Sequence, residues 1–243
     1  MTFDPLELYA SGIDRSDYVE RVLPLLHAAV AEPGDLLDIG AGGGQLGLAY
    51  RAAGQAWVAL EPSPTMCRRL DRIPSPPRIV ASGWQEADLA RASFDTVLAA
   101  NMAGPLNDPE TFLARCRAWA RANVVWLVPA QNGPRGLCLA GCLPAEWHGE
   151  DETPGVEIVL RQLPEHDRPR VVGKADWSFR LDVASIPAIA AYLADRLDWG
   201  AGDARRPALR DHLASATTPV ADGFRLIVPR ASAVLAWYAP DAS

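Results

Sequence analysis

Between Leu36 and Gly44 the chain reads Leu-Leu-Asp-Ile-Gly-Ala-Gly-Gly-Gly, and Glu61 follows 21 residues after Gly40. These types at this spacing could hold a nucleoside. Leu36, Leu37 and Ile39 read as a buried parallel strand, and the glycines beyond it let the backbone turn sharply and approach a ligand where no Cβ would fit. Gln45 to Arg51 reads as the start of a helix. Glu61 closes the apolar run Ala56 to Leu60, so its carboxylate falls beside the loop of the first strand and can accept both hydroxyl hydrogens of a ribose. A glycine-rich turn without a ligand and a solvated strand-end acid are the plainer alternatives.

Two cofactor classes use this layout. The dinucleotide fingerprint G-x-G-x-x-G requires a third glycine at position 45, where the chain has Gln45. Asp38 stands two residues before the first glycine, and an acid there repels a pyrophosphate but attracts a sulfonium and an ammonium. Asp38-Ile39-Gly40-Ala41-Gly42-Gly43-Gly44 resembles motif I, D-x-G-x-G-x-G, of the class I S-adenosylmethionine-dependent methyltransferases (the type 11 or UbiE-like group). The resemblance implies S-adenosyl-L-methionine as cofactor and S-adenosyl-L-homocysteine as product. It places Asp38, Gly40, Ala41, Gly42 and Gly44 in the cofactor loop, Glu61 on the ribose, and Pro62 and Met66 next to it, with Met66 against the adenine. Gly83, Trp84 and Gln85 occupy the region where relatives bind the adenine amine, often through an Asp that this chain lacks. Trp84 reads equally as a core residue. Asn101-Met102-Ala103-Gly104-Pro105 aligns with motif IV, beside the transferring methyl.

The elements that must position these residues alternate along the chain. A helical stripe over Tyr18 to Ala31 ends at Pro33-Gly34. Strand Leu36 to Ile39, helix Gln45 to Ala53, strand Ala56 to Leu60, helix Pro64 to Leu70, and strands Arg78 to Ala81 and Phe94 to Ala100 follow. Helix Pro109 to Ala122 and strand Val124 to Val128 complete the series. Five strands alternating with helices predict an α/β fold: a doubly wound, Rossmann-like sheet, mostly parallel, with the cofactor at the carboxyl ends of its strands. Beyond Val128, prolines and glycines crowd into a lid-like insertion, with helices expected near Thr153 to Leu163, Ser185 to Leu197 and Pro207 to Ala214, and a strand at Val171 to Leu181. Phe224 to Val228 and Ala233 to Tyr238, flanking Pro229-Arg230-Ala231-Ser232, predict a terminal antiparallel β-hairpin. The chain reads as one domain: a helical cap (1–34), a cofactor core (35–128), an acceptor lid (129–220) and the hairpin (221–243). Motif-level resemblance covers residues 36 to 128.

Methyl transfer is an in-line displacement at an activated carbon, so the protein must mainly position the acceptor and exclude water. Where a base is needed, His148, beside Glu146, Trp147 and Glu150, is the catalytic candidate; a surface histidine is the alternative. Tyr9 and Tyr18 could cover the cofactor or serve packing. Cys138, Cys142 and His148 are ligand types without a zinc-site spacing or an evident fourth ligand, so no metal is expected. Trp177, Trp199 and Trp237 read as filling between insertion and sheet.

Composition narrows the acceptor. A net charge of −7, with 49% hydrophobic and 22% charged residues, fits a folded chain without a broad phosphate-binding face. Motif IV lacks the [DN]-P-P-[YF] of enzymes that methylate base or glutamine amines, and no Pro-Cys nucleophile of 5-methylcytosine enzymes occurs. The expected partner is therefore a small-molecule methyl acceptor, with no nucleic acid, no membrane, and a monomeric or homodimeric state. The four cysteines include no C-x-x-C and read as free thiols. With no 18-residue apolar stretch and no secretory signal, a cytoplasmic location is expected. A protein methyltransferase, a noncatalytic S-adenosylmethionine-binding partner and, least of the three, an aminopropyltransferase are the alternatives.

Overall fold

Strands β1 (Leu36–Ile39) and β2 (Trp57–Leu60) are buried at every residue, as a parallel strand covered on both faces must be. In the computed structural model, which describes residues 3–134 and 141–238, they lie in the larger of two compact units. Among the described residues, that unit comprises 19–131, 153–176 and 231–238; the smaller takes 3–18, those of 132–152, and 177–230. Each is thus assembled from three separate stretches of chain.

In the larger unit the strand order is β3 (Arg78–Val80), β2, β1, β4 (Phe94–Ala100), β5 (Ala120–Pro129). All four pairings are parallel, and register sets Asp38 beside Ala59 on one side and Leu98 on the other. Helix α2 (Tyr18–Ala29) precedes β1, α3 (Gln45–Tyr50) follows it, and α4 (Pro64–Leu70) and α5 (Pro109–Trp119) follow β2 and β4. Caps fix where two of these begin. Ser63 Oγ accepts the Met66 N–H at 3.3 Å, and Asp108 Oδ1 accepts the Thr111 N–H at 3.2 Å. Leu37, Ile39, Val97, Phe112 and Trp126 meet in one apolar core. Trimming a side chain as large as Phe112 there to alanine costs about 3–5 kcal/mol.

Strand β5 starts at Ala120, inside the stretch whose Ala-Arg-Ala sequence predicts helix. Pairing of Phe94 with Ala120 captures those residues into the sheet, so tertiary hydrogen bonding outweighs helix propensity. At the amino ends of the strands, Arg121 joins Asp35 at 2.9 Å and Asp95 at 2.8 Å. Those two acids also accept backbone N–H groups of Ala56 and Asp35.

The carboxyl-terminal elements differ from the expected hairpin. Residues Gly223–Tyr238 form one strand, β8, without a turn at Pro229 to Ser232. Residues 232–238 pair antiparallel with β5, and residues 223–226 pair with β7 (Thr217–Val220). β8 also neighbours β6 in the sheet, and Pro229 falls outside the stretches that pair with β5 and β7. The hairpin turn lies instead at Ala221-Asp222, before Gly223.

In the smaller unit, α1 (Pro5–Arg15) meets the end of β6 (Arg170–Val183): Tyr9 stacks on Phe179 at 6.0 Å, and Tyr18 lies 4.7 Å from Trp177. Helices α6 (Ala145–His148), α8 (Ile186–Arg196) and α9 (Arg205–Ala216) complete this unit, and α7 (Gly155–Gln162) belongs to the larger one. Among the described residues no helix is long and apolar enough to cross a membrane.

Candidate cofactor site

Three glycines after β1 adopt left-handed backbone: Gly40 (φ 62°), Gly42 (φ 56°) and Gly44 (φ 80°). Such a run suits glycine alone, because a Cβ would strain each turn. At Gly42 the space itself is open, since a Cβ would meet only the Gly40 carbonyl oxygen at 3.9 Å. At Gly40 it would stand 2.8 Å from Met102 Sδ, so Met102 of the segment after β4 lies directly against the loop. Ala41 sits half-buried between them.

Glu61 ties this loop to the end of β2. Its Oε2 accepts the Gly42 N–H at 2.8 Å, its Oε1 accepts the Ser63 N–H at 2.9 Å, and the residue is buried. Gly40 N–H in turn donates to Leu60 O at 2.7 Å, and Glu61 N–H to Val80 O at 3.0 Å. Neighbouring strand ends are therefore locked to one another at the carboxylate. Each carboxylate oxygen keeps a second lone pair, so the acid can accept two further hydrogens while holding the loop.

Asp38 is buried at 4% exposure on the strand face opposite Leu37 and Ile39. A Cβ on Gly47 of α3 would collide with Asp38 Oδ2 and come within 2.8 Å of the Trp57 indole, so the helix approaches the acid by leaving that side chain out. Burial pushes the Asp38 carboxyl up to about 7. The Trp57 indole opposes this, and the Glu61 charge adds to it. No cation is among the groups acting on it. The acid thus combines a charge-accepting position with a marked cost of ionising alone.

At the end of β4, Asn101 takes a left-handed turn (φ 51°), a conformation that Asn tolerates better than most side chains. Its N–H donates to Leu127 O at 2.9 Å, and its Oδ1 accepts the Ser232 hydroxyl at 3.1 Å. Asp38, the glycine loop, Glu61 and Asn101 are therefore gathered at the carboxyl ends of β1, β2 and β4. Pro62 is exposed beside Glu61, whereas Met66 is fully buried in α4.

The segment after β3 gathers less completely. Gly83 O accepts the Ala87 N–H at 3.0 Å, closing a turn in which Gln85 is exposed. The Trp84 ring lies in the core, edge-on to Phe112 at 5.0 Å, and its carbonyl accepts from Arg115 Nε at 3.1 Å. The structure thus places this side chain in packing.

His148 differs from the expected base. It belongs to the smaller unit, and its side chain is 1% exposed. Nδ1 accepts the Glu150 N–H at 3.1 Å, and Nε2 faces Glu152 Oε1 at 3.4 Å. Nδ1 is thereby engaged as an acceptor, and Nε2 is buried without a hydrogen-bond partner. The ring helps to fix the turn at Gly149. Tyr9 and Tyr18 likewise spend their rings on Phe179 and Trp177. Of the cysteine candidates, Cys142 is half-buried, with its carbonyl 2.6 Å from His212 Nε2, and Cys138 lies outside the described residues. No group of three or more metal-ligating side chains occurs among the described residues.

Gly47, Trp57 and Ser232 join the site without having been singled out from sequence. Gly47 carried a signal, since glycine inside a helix costs about 1 kcal/mol and marks a close approach. Ser232, a polar residue within an apolar run, carried a weaker one.

Residues 37–125 match the model of a family described as a methyltransferase domain. The fold is similar to a putative type II methyltransferase from Anaeromyxobacter dehalogenans (TM-score 0.55, 20% identity, covering 89% of this chain and 94% of that one). It is also similar to a putative methyltransferase from Bacillus halodurans (0.52, 9%, 90% and 98%). A third likeness is to the YcgJ protein from Bacillus subtilis (0.51, 14%, 89% and 97%). At these identities the likeness is one of fold. No curated protein matches the sequence significantly.

Proposed function

We propose that this chain, which carries a class I S-adenosylmethionine-dependent methyltransferase domain, methylates a small molecule and binds its cofactor through Glu61 and the glycine loop. The observation that carries the reading is the Glu61 carboxylate: it is buried, bonded to the loop through Gly42 N–H, and still able to accept two hydrogens from a ribose. The open space at Gly42 suits a ligand pressed against backbone. Asp38 suits a cation, because a sulfonium or ammonium nearby would offset the cost of its charge.

S-adenosylmethionine, when bound, supplies a methyl carbon already activated by its sulfonium. The remaining work falls to the chain. Gly40, Ala41, Gly42 and Gly44 offer backbone, Asp38 offers charge, and Glu61 orients the sugar. Pro62, Met66 and the segment Gly83-Trp84-Gln85 would flank the adenine, with Trp84 supporting that turn from the core. Asn101 would stand near the reacting end, held by Leu127 and Ser232. With His148 Nδ1 engaged by the Glu150 N–H, acceptor positioning and exclusion of water would supply the catalysis, as suits a displacement at an activated carbon.

A small-molecule acceptor is favoured by the acidic net charge and by a motif IV without the amine-methylating or cytosine-methylating signatures. Calorimetric titration with S-adenosylmethionine, S-adenosylhomocysteine and NAD(H) tests the cofactor: micromolar binding of the first two is expected, and binding of NAD(H) alone or of none overturns the reading. Incubation of a cell extract with methyl-labelled cofactor then tests the acceptor. Label in the small-molecule fraction supports it; label in precipitated protein makes the chain a protein methyltransferase.

A further inference from the structure

Beyond the ends of β4 and β5, two carboxamides are bonded to consecutive residues of β8. Asn101 Oδ1 accepts the Ser232 hydroxyl, and Gln131 Oε1 accepts the Ala231 N–H at 2.9 Å. The second bond fixes which way the Gln131 amide faces, because a backbone N–H requires an acceptor and only Oε1 is one. The Gln131 Nε2 is then left on the far side, buried and without a hydrogen-bond partner. Two N–H donors withheld from water are costly unless something accepts from them.

The place of this donor gives it meaning. Ala130 N–H donates to Ala231 O at 2.9 Å, so the β5–β8 ladder runs on to the residue before Gln131, where a side chain takes over from backbone. Asn101, bonded one residue further along β8, is followed by Met102, which lies against Gly40 of the glycine loop. The unpaired donor therefore belongs to the same carboxyl-end cluster as the loop, next to motif IV and apart from Glu61 and Asp38.

We propose that Gln131 is an acceptor-binding residue whose Nε2 donates to an oxygen of the methyl acceptor, so that the acceptor class is a small molecule bearing a carboxylate or carbonyl oxygen. The proposal rests on the methyltransferase reading. An amide donor rewards an oxygen acceptor and offers an alkylammonium nothing, so it also sets a preference against cationic amines.

The test uses the full chain saturated with S-adenosylhomocysteine and titrated calorimetrically with two probes of similar size, benzoate and benzylamine. Wild type should bind benzoate more tightly. Gln131→Glu keeps an oxygen for the Ala231 N–H but replaces the donor with a carboxylate, and it should shift the benzoate-to-benzylamine affinity ratio by at least about tenfold toward the amine. A residue that merely holds Ala231 would not move that ratio. Should Gln131→Glu fail to fold, Gln131→Met, which removes the donor without adding charge, should weaken benzoate at least about tenfold. Equal or tighter binding of benzylamine by wild type, no binding of benzoate, or a ratio unmoved by substitution overturns the assignment of Gln131 alone. Failure of wild type to bind S-adenosylhomocysteine overturns the methyltransferase reading, and this proposal with it.

Discussion

The two ends of the parallel strands solve opposite problems. At the amino ends Asp35 and Asp95 share Arg121, and each also accepts a backbone N–H, so the charges there are matched within the chain. At the carboxyl ends Asp38 is buried without a cation acting on it, the Gln131 amide nitrogen has no partner, and Asn101 holds a strained turn. The unmatched charge and the unpaired amide at the carboxyl ends are the features on which the proposed cofactor and acceptor sites rest.

The largest expected effect concerns Asp38. Its native carboxyl holds a proton up to about pH 7, whereas the unfolded chain releases it near 3.8, so the folded state binds more protons between those values. Its contribution therefore falls as pH rises through that window, by about 4 kcal/mol in all. Asp38→Asn should abolish this component, and denaturant unfolding at pH 4.5 and pH 8 should show the variant gaining on wild type at the higher pH. Parallel pH profiles would break the contrast between the strand ends. Glu61→Ala should weaken S-adenosylhomocysteine binding by about 2–4 kcal/mol, since it removes charge-assisted bonds to the sugar and the brace on Gly42. Unchanged calorimetric affinity would refute the ribose role.

Gly42→Ala sharpens the contrast further. The left-handed backbone costs about 1–2 kcal/mol of stability, while the space its methyl fills should belong to the ligand, so affinity should fall at least about tenfold. A loss of stability alone would leave the loop as structure only. The smallest effect is expected at the amino ends: Arg121 is 41% exposed, and Arg121→Ala should cost about 1 kcal/mol or less, with cofactor affinity unaltered. A larger loss in thermal unfolding would mean that the matched end also carries the fold.

The parallel strands and the glycine loop were legible because their signals are local: apolar runs of strand length, glycines where no side chain fits, and an acid at a fixed spacing. Pairing by distant residues was not. Ala120 to Ala122 reads as helix until the pairing of Phe94 with Ala120 claims the stretch as the start of a strand. Pro229 looks like a turn, yet it lies inside one continuous strand between the stretches that pair with β7 and β5. Asp222-Gly223, beside the true turn, was the stronger hairpin signal. Within the site, Asp38 and Glu61 could be singled out from spacing. The Trp84 ring and the His148 imidazole could not be placed, because Phe112 and the fold around Glu150 and Glu152 decide where those rings lie.

The pairing of β5 with residues 232–238 also governs how the chain leaves the ribosome. Val124 to Val128 emerge with one flank able to join β4, while the strand destined for the other flank is still about a hundred residues from synthesis, or roughly 5–20 s at ordinary elongation rates. For that interval the nascent protein carries an apolar, unpaired strand edge beside a nearly finished parallel sheet, the kind of surface that recruits another chain. Truncations before Ser232 would make the delay permanent, so soluble yield should collapse for them even though the glycine loop and Glu61 are intact.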